Sequence, residues 1–490
     1  MSHLTIIITL AGYVALLFFV AWLSSRNTTT HTFFTGGRST PRLVAAVAMV
    51  GAAMSGVTYI SVPGSVSADS FSYLQTCLGF AVGYGVISFV LIPLYYRLGV
   101  VSLYEYLEHR FGMVAHHTGA WFFFVAKIAS ASLRAYVICV VLQGLLYDHY
   151  DIPFVVNGAI MMALVWLYTQ RGGVRSVVWV EMMKSLVMSA SIVLAIVFVA
   201  GELGFGLGEA AEAVVASDYS SIFFMDNPLD RRYFWKQFIA GIFLVVAMTG
   251  LDQDMMQTML SCRNRGDAQR SMMTSIVIQI VVITLFLALG ALLYIFVDAR
   301  GLDAPSGDML FGFVATECGL PTVVGVLFLL GLVASTYSSA GSALTALTTS
   351  FTHDILGVDS RTTEDQGRVE RIRKTTHATI AVVMCAIIVL FHRFSHSGAI
   401  TLIFTMASYT YGPLLGMFAF GILTRRMPRG RLVPIVALAS PIVSYVVASH
   451  SVAWFGGYEF SYEVILLNAA LCFLGLWSIS KRGVKDSKLG

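Results

Sequence analysis

The chain has 490 residues, of which 57% are hydrophobic and only 12% are charged. Soluble domains carry about 25% charged residues, so this composition excludes an ordinary soluble protein and predicts an integral membrane protein. The net charge of +4 gives no reason to expect a nucleic-acid partner. The six cysteines lack the spacing of a metal site or a disulfide framework, and we interpret them as packing residues.

Apolar runs long enough to cross a bilayer as helices recur thirteen times along the chain. The sequence therefore predicts an all-α integral membrane protein with 13 transmembrane helices. The first run lacks the basic start of a signal peptide, so we predict that it is retained. The runs lie at about 3–23, 42–64, 71–97, 115–148, 152–170, 176–201, 234–261, 268–298, 321–353, 374–394, 397–422, 431–449 and 460–480.

Basic residues are distributed unequally between alternate loops. With the N-terminus outside, the cytoplasmic loops hold 23 of the 31 lysines and arginines, and the outer loops hold five. The positive-inside rule therefore predicts an outer N-terminus and a cytoplasmic C-terminus, which we assign to a bacterial inner membrane. We expect residues 202–230 to lie outside and to contain a short helix over the entrance, and residues 354–373 to form a solvated inner connector.

Two of the runs are interrupted by polar or glycine-rich stretches, at 51–56 and at 250–254. Asp252 and Asp254 would each cost about 2.5–3.5 kcal/mol at the centre of a lipid-facing helix, so we expect them to face a cavity, a partner or an ion. Ten runs remain when the leading helix and the two trailing ones are set aside, and they divide into five plus five. Corresponding interrupted spans in two halves of opposite orientation are typical of transporters with a site at the bilayer midplane.

The predicted organisation is a single membrane transporter domain over residues 1–490 with a five-plus-five inverted-repeat fold. Its parts are a leading helix at 3–23, a first repeat at 42–201, a second repeat at 234–422 and trailing helices at 431–480.

Several short motifs, in order along the chain, resemble those of the solute:sodium symporter family, including its sodium–galactose and sialic acid symporters. The resemblance covers roughly residues 5–425 and implies the five-plus-five fold with an extra leading helix. The motifs are Phe34-Thr-Gly-Gly-Arg38, Tyr104-Glu-Tyr-Leu-Glu108, Arg110-Phe111, Tyr168-Thr-Gln-Arg-Gly172-Gly173, Gln253-Asp-Met-Met-Gln257, Ser338-Ser339 and Gly412-Pro413-Leu-Leu-Gly416.

The resemblance implies that the chain binds Na⁺ between its first interrupted helix and a serine-bearing helix. The implied ligands are carbonyl groups of Gly51, Met54 and Ser335 and the hydroxyl groups of Ser338 and Ser339. The residues themselves fit this role, because the serine spacing places the hydroxyls on one helical face. The alternative is that these small residues only allow close helix packing.

Some relatives in this family have a second sodium site, built from an acidic residue and neighbouring serines. The corresponding residues here are Glu181 and Ser342, together with Ser338. Two departures weaken the match: the family's aspartate is the longer Glu181, and one serine is Gly341. Lys184 lies one turn after Glu181 and could neutralise it by an i, i+3 pair.

A buried guanidinium suits a carboxylate, so Arg134, deep in a predicted span, indicates an acidic substrate. The alternative is a structural ion pair with Asp252 or Asp254. The resemblance aligns Arg134, Ser55 and Thr58 with substrate contacts of sialic acid symporters and Asp252 with a sugar-binding asparagine. The predicted substrate site consists of Ser55, Thr58, Tyr73, Gln75, Arg134 and Asp252.

We therefore predict a non-enzymatic, monomeric symporter that uses Na⁺ to import a small polar solute, an acidic sugar or another carboxylate such as sialic acid. Ala53 and Cys77 replace polar residues of sialic acid relatives, and Phe404 replaces a sugar-binding glutamine. A neutral sugar or polyol remains an alternative substrate and a proton an alternative coupling ion. A carrier-like sensor, which would extend into signalling domains beyond Lys481, and a metal enzyme using the two aspartates are further alternatives.

Overall fold

The computed structural model describes residues 3–25, 36–100, 102–305, 307–358, 365–394 and 399–482. Nearly all of this part of the chain is helical. Two short strands, β1 (Arg426–Pro428) and β2 (Ser480–Arg482), pair antiparallel and join the ends of two helices. The single-turn helices Val66–Asp69 and Ser451–Trp454 lie in connections.

The longer helices are, in chain order, α1 (His3–Ser25), α2 (Arg42–Ala53), α3 (Gly56–Gly64), α4 (Tyr73–Leu98), α5 (Glu105–Phe111), α6 (Met113–Tyr150), α7 (Phe154–Gln170), α8 (Gly173–Glu202), α9 (Leu207–Ala216), α10 (Phe234–Gly250), α11 (Gln253–Leu260), α12 (Arg265–Ala299), α13 (Leu310–Glu317), α14 (Thr322–Ile355), α15 (Gln366–Phe394), α16 (Ala399–Leu423), α17 (Val433–Ser449) and α18 (Val464–Ser478).

Nine helices in the described ranges are long and apolar enough to cross a membrane, and up to eleven spans result if each of two bent pairs counts as one. This agrees with the predicted all-helical membrane protein. Two shorter apolar helices, α7 and α18, lie where the sequence also predicts spans. A helix suits this environment because it satisfies its backbone hydrogen bonds within itself.

Both predicted interruptions are confirmed as sharp bends. The axes of α2 and α3 differ by 61°, and those of α10 and α11 by 69°. Met54 and Ser55 have extended backbone in the first bend. In the second, Asp252 is extended and caps α11, because its side chain accepts hydrogen bonds from the amides of Asp254 and Met255. We call α2–α3 the first broken span and α10–α11 the second.

The beginning of the first broken span lies beside the end of the second. The amide of Thr40 donates to the carbonyl of Ser261 at 3.1 Å, and their hydroxyl oxygens are 2.8 Å apart. The start of the first broken span and the end of the second therefore lie at the same end of the bundle.

Two predicted connections differ in their outcome. Residues 202–230 contain the expected short helix, α9. The connector expected at 354–373 is shorter than predicted, because α14 extends to Ile355 and α15 begins at Gln366; residues 359–364 lie outside the described ranges. Hydropathy misses the first turns of α15 since residues 366–373 contain three arginines and a glutamate, which are good helix formers but not apolar.

Gly51 allows the first broken span to approach α8. A Cβ atom at this position would clash with the backbone carbonyl oxygen of Glu181, and backbone cannot move away as a flexible side chain can. We expect Gly51→Ala to destabilise the folded protein by about 1–3 kcal/mol, the usual cost of overpacking. Thermal unfolding in detergent measures this loss.

Gly85 provides the matched control, because it also lies in a helix but a Cβ atom there would meet no neighbour within 4 Å. Gly85→Ala should leave the midpoint of unfolding unchanged or slightly higher. Equal midpoints for the two variants would show that α2 does not depend on this close approach.

Candidate functional site

The bend in the first broken span interrupts helical backbone hydrogen bonding near the serines of α14. An uninterrupted helix would direct the amide of Ser55 to the carbonyl of Gly51, but here the amide donates to Thr58 Oγ1 at 3.2 Å. Gly56 then packs directly against α14: a Cβ atom there would lie 3.0 Å from Ser335 Oγ. The two elements that are implied to bind sodium are therefore in contact.

Of the four serines at positions 335, 338, 339 and 342 of α14, Ser338 alone has a hydroxyl without a hydrogen-bond partner within the described ranges; Thr345 and Thr352, farther along α14, are also unpartnered there. Ser338 is buried, at 1% exposure, and its Oγ atom contacts no donor or acceptor in the described part of the chain. The Oγ atom of Ser335, in contrast, donates to the carbonyl of Leu332 at 2.8 Å. A buried unsatisfied hydroxyl is costly, so Ser338 is well suited to coordinate a cation. The donor set, carbonyl and hydroxyl oxygens, is of the kind that hard cations prefer.

The acidic residue expected at a second sodium site has a resident cationic partner. Lys184 Nζ lies 2.9 Å from Glu181 Oε2 and donates to Ser339 Oγ at 2.9 Å. The contact with Glu181 is an i, i+3 ion pair within α8. Both side chains are almost completely buried. Lys184 thus contacts one expected ligand of each sodium site.

Two other positions of the expected second site also differ from a free ligand set. Ser342 donates a short hydrogen bond to Asp254 Oδ1. Gly341 has no hydroxyl, and a Cβ atom there would clash with the hydroxyl group of Tyr168. The expected second site thus has a lysine beside its carboxylate and a glycine in place of one serine.

Both buried aspartates of the second broken span are paired with Lys127 on α6. Lys127 Nζ lies 3.1 Å from Asp252 Oδ2 and 2.6 Å from Asp254 Oδ2. Tyr411, on α16, donates to Asp252 Oδ2 at 2.5 Å. Asp252 therefore accepts from a lysine, a tyrosine and the backbone amides that it caps. Lys127 and Tyr411 thus join the bend of the second broken span to α6 and α16.

Arg134, also on α6, differs from Lys127 because it forms no ion pair with the buried aspartates. Its Nε atom is buried and has no hydrogen-bond partner in the described residues. The alternative for Arg134, a structural ion pair with Asp252 or Asp254, is wrong, since both carboxylates contact Lys127 instead. Arg134 is thus a half-buried guanidinium without an acidic neighbour at ion-pair distance among the described side chains.

Two cavities meet at Arg134. One, of about 430 Å³ including space open to solvent, is lined by Glu181, Ser335, Ser339 and Asp254 together with Lys127 and Arg134. The other, of about 830 Å³ including space open to solvent, is lined by Ser55, Thr58, Tyr73, Asp252 and Tyr411 as well as the same two cations. Of the predicted ion ligands, Ser335, Ser339, Glu181 and Ser342 line the smaller cavity, whereas Gly51, Met54 and Ser338 do not. The larger cavity is lined by most of the predicted substrate contacts.

Gln75 lies elsewhere. Its amide nitrogen donates to the carbonyl of Arg232 at 2.8 Å and its amide oxygen accepts from the backbone of Phe224 at 3.2 Å. Gln75 lines neither of the two cavities. Its side chain instead forms hydrogen bonds with the backbone of the segment that precedes α10. Its role in substrate binding stays a prediction that these contacts do not favour.

The sequence prediction omitted Lys127 and Tyr411 from the site. Lys127 carried a signal, because it is a charged residue within a span and lies seven residues, two helical turns, before Arg134. Tyr411 carried none, since aromatic residues are common in apolar helices.

Comparisons with known proteins identify the class to which this fold and site belong. The model of the sodium:solute symporter family matches residues 33–433. The chain therefore belongs to the sodium:solute symporter family, and the predicted resemblance is confirmed. This is a family of membrane carriers.

Particular relatives are similar over most of the chain. A sodium/sialic acid symporter of Proteus mirabilis is 22% identical over 90% of this chain and 88% of its own length. The sodium-coupled monocarboxylate transporter 1 of Xenopus laevis is 25% identical over 83% of this chain, which spans 65% of that protein. A solved structure of a Na⁺-coupled sialic acid symporter in an outward-open, substrate-bound state superposes with a TM-score of 0.82, 19% identity, and coverage of 98% and 99% of the two chains. This last similarity establishes the shared fold.

Proposed function

We propose that this chain is a sodium-coupled symporter that imports a small organic acid, either an acidic sugar such as sialic acid or another carboxylate. The observation that carries the proposal is the guanidinium of Arg134, which faces both cavities without an acidic partner in the described residues. A bidentate pair with a substrate carboxylate would satisfy it. The relatives named as sialic acid and monocarboxylate carriers support an acidic substrate.

Sodium would bind between the first broken span and α14. Carbonyl groups of Gly51, Met54 and Ser335 and the hydroxyls of Ser338 and Ser339 are the proposed ligands. The unpartnered Ser338 hydroxyl supports this assignment. An ion that bridges the two elements would stabilise the conformation in which the larger cavity is assembled, and by linkage the substrate would raise the affinity for sodium by the same factor.

The finer predictions of topology belong to this proposal. We infer 13 spans from the two broken spans, the nine long helices, α7 and α18. The repeats would be 42–201 and 234–422, and access would alternate by rocking of the bundle against its scaffold. The N-terminus would lie outside a bacterial inner membrane and the C-terminus in the cytoplasm, and the carrier would act as a monomer without covalent chemistry.

A neutral sugar or polyol is the second candidate substrate, because Asp252 could accept hydrogen bonds from sugar hydroxyls. Its carboxylate is already engaged by Lys127, by Tyr411 and by the amides of Asp254 and Met255. A sugar would have to displace one of these donors. The acidic substrate is favoured because Arg134 has no such partner to lose.

The test is uptake of radiolabelled substrate into proteoliposomes that contain the purified protein. Thermal-shift screening with sialic acid, lactate, pyruvate, galactose and polyols, with and without Na⁺, selects the compound, because a ligand of the native state stabilises it. We expect an acid to stabilise the protein and its uptake to require an inward sodium gradient. Sodium-independent uptake, or stabilisation by neutral sugars alone, would contradict the proposal.

Removing one proposed sodium ligand should weaken sodium binding selectively. Ser338→Ala is expected to raise the half-saturating sodium concentration of uptake by about 5- to 100-fold, the equivalent of about 1–3 kcal/mol. Ser444→Ala is the matched control, since Ser444 is fully buried but donates to a carbonyl within its own helix. An unchanged sodium dependence in Ser338→Ala would place the ion elsewhere.

A further inference from the structure

Lys184 has the position and contacts of a bound cation. Its side chain has 0% exposure, and its ammonium group lies between the Glu181 carboxylate and the Ser339 hydroxyl, at 2.9 Å from each. A buried charge is retained only when it is paired, and these two oxygens provide the pairing. They are also the oxygens that would hold a sodium ion if the lysine were absent.

The neighbouring groups are adapted to this arrangement rather than to a second ion. Ser342 donates to Asp254, and Gly341 packs against the Tyr168 hydroxyl in a space too small for a serine side chain. Tyr168 in turn donates to the carbonyl of Tyr337 at 2.8 Å, which fixes it against α14. The position where a second sodium site would have a serine therefore offers no side-chain oxygen.

The charges around the two cavities also favour a single bound sodium ion. The charged side chains that line them are Lys127, Arg134, Asp252, Asp254 and Glu181, and Lys184 contacts the last of these. In their ordinary ionisation states these six sum to zero. One sodium ion and one monocarboxylate would keep the centre neutral, whereas a second sodium ion would leave a buried positive charge.

We infer that the Lys184 ammonium is a tethered cation that takes the place of a second sodium ion, so that the carrier binds and moves one sodium ion per carboxylate. This inference rests on the proposed sodium coupling and specifies its stoichiometry. The lysine compensates the Glu181 charge in every transport step, and it does so without being transported itself.

Binding of ²²Na⁺ to the purified protein, measured to saturation, tests the inference. The wild type should bind one sodium ion per chain. Lys184→Met removes the tethered charge and leaves Glu181 and Ser339 to a mobile cation, so this variant should bind two. Lys184→Met combined with Glu181→Gln should bind one again, because the carboxylate that attracts the second ion is absent.

Two sodium ions bound to the wild type, or no gain in Lys184→Met, would overturn the inference. If the variants fail to fold, the wild type alone decides it: in proteoliposomes the substrate accumulation ratio should vary with the first power of the sodium ratio at zero membrane potential, and a second-power dependence overturns it. A wild type that binds no sodium would overturn the proposed sodium coupling. In that case, a gain of one bound sodium ion in Lys184→Met would support the role of Lys184. No gain in this variant would overturn it.

Discussion

Arg134→Gln is expected to raise the KM for the transported carboxylate by about 30-fold to several thousandfold. Truncating one member of a desolvated, hydrogen-bonded charge pair costs about 2–5 kcal/mol, and each 1.4 kcal/mol corresponds to a factor of ten. The variant should fold normally, since the guanidinium makes no ion pair with the described residues that the folded protein would lose. Uptake kinetics in proteoliposomes, with thermal unfolding as the measure of folding, separate binding from stability.

Arg134→Lys sharpens this test, because it keeps the charge and removes the planar fork. We expect an intermediate KM for this variant. Arg300→Gln is the control for loss of an arginine, since Arg300 pairs with Glu202 at the exposed end of α8 and lines neither cavity. Carboxylate uptake with an unchanged KM in Arg134→Gln would exclude Arg134 as the carboxylate ligand.

Lys127→Met is expected to destabilise the protein by about 3–5 kcal/mol, the cost of leaving buried charges without their partner. Asp252 and Asp254 are 2% and 7% exposed and share this lysine, so its removal leaves two adjacent buried carboxylates. The midpoint of thermal unfolding should fall and uptake should be lost with it. Lys374→Met, at an exposed pair with Glu370, should change stability by no more than about 1 kcal/mol.

Removing all three charges of this cluster distinguishes the electrostatic cause from simple loss of packing. In the triple variant Lys127→Met, Asp252→Asn and Asp254→Asn no buried charge lacks a partner, so much of the stability should return. The Asp252→Asn change keeps a side-chain oxygen that can accept hydrogen bonds from the amides at the start of α11. A triple variant as unstable as Lys127→Met alone would show that the lysine acts through packing.

The two broken spans illustrate what could be read from the chain itself. Glycine next to the aspartates predicted an interruption at 250–254, and glycines at both ends of the stretch 51–56 predicted the other. Bends of 69° and 61° confirm them. These predictions succeeded because charge in lipid and broken backbone hydrogen bonding are local costs, and the residues that tolerate them are adjacent in sequence.

Gln75 and Lys184 illustrate what could not be read from the chain itself. Gln75 follows Tyr73, which lines the larger cavity, by only two residues. Its side chain nevertheless forms hydrogen bonds with Arg232 and Phe224, about 150 residues away in the chain. Lys184 could be paired with Glu181 from their spacing alone, but its bond to Ser339 crosses between α8 and α14. The direction of a side chain around a helix within a bundle depends on which neighbours pack against that helix.

The sequence by itself determined the helical membrane architecture, the family and the residues with the chemistry to bind an ion and an acid, because hydropathy, spacing and local motifs carry that information. Only the tertiary structure decided which charges neutralise one another. Lys127 meets Asp252 across 125 residues of chain and thereby leaves Arg134 open to a substrate. Pairing of this kind depends on distances of about 3 Å between separate helices, and those distances exist only after the bundle has packed.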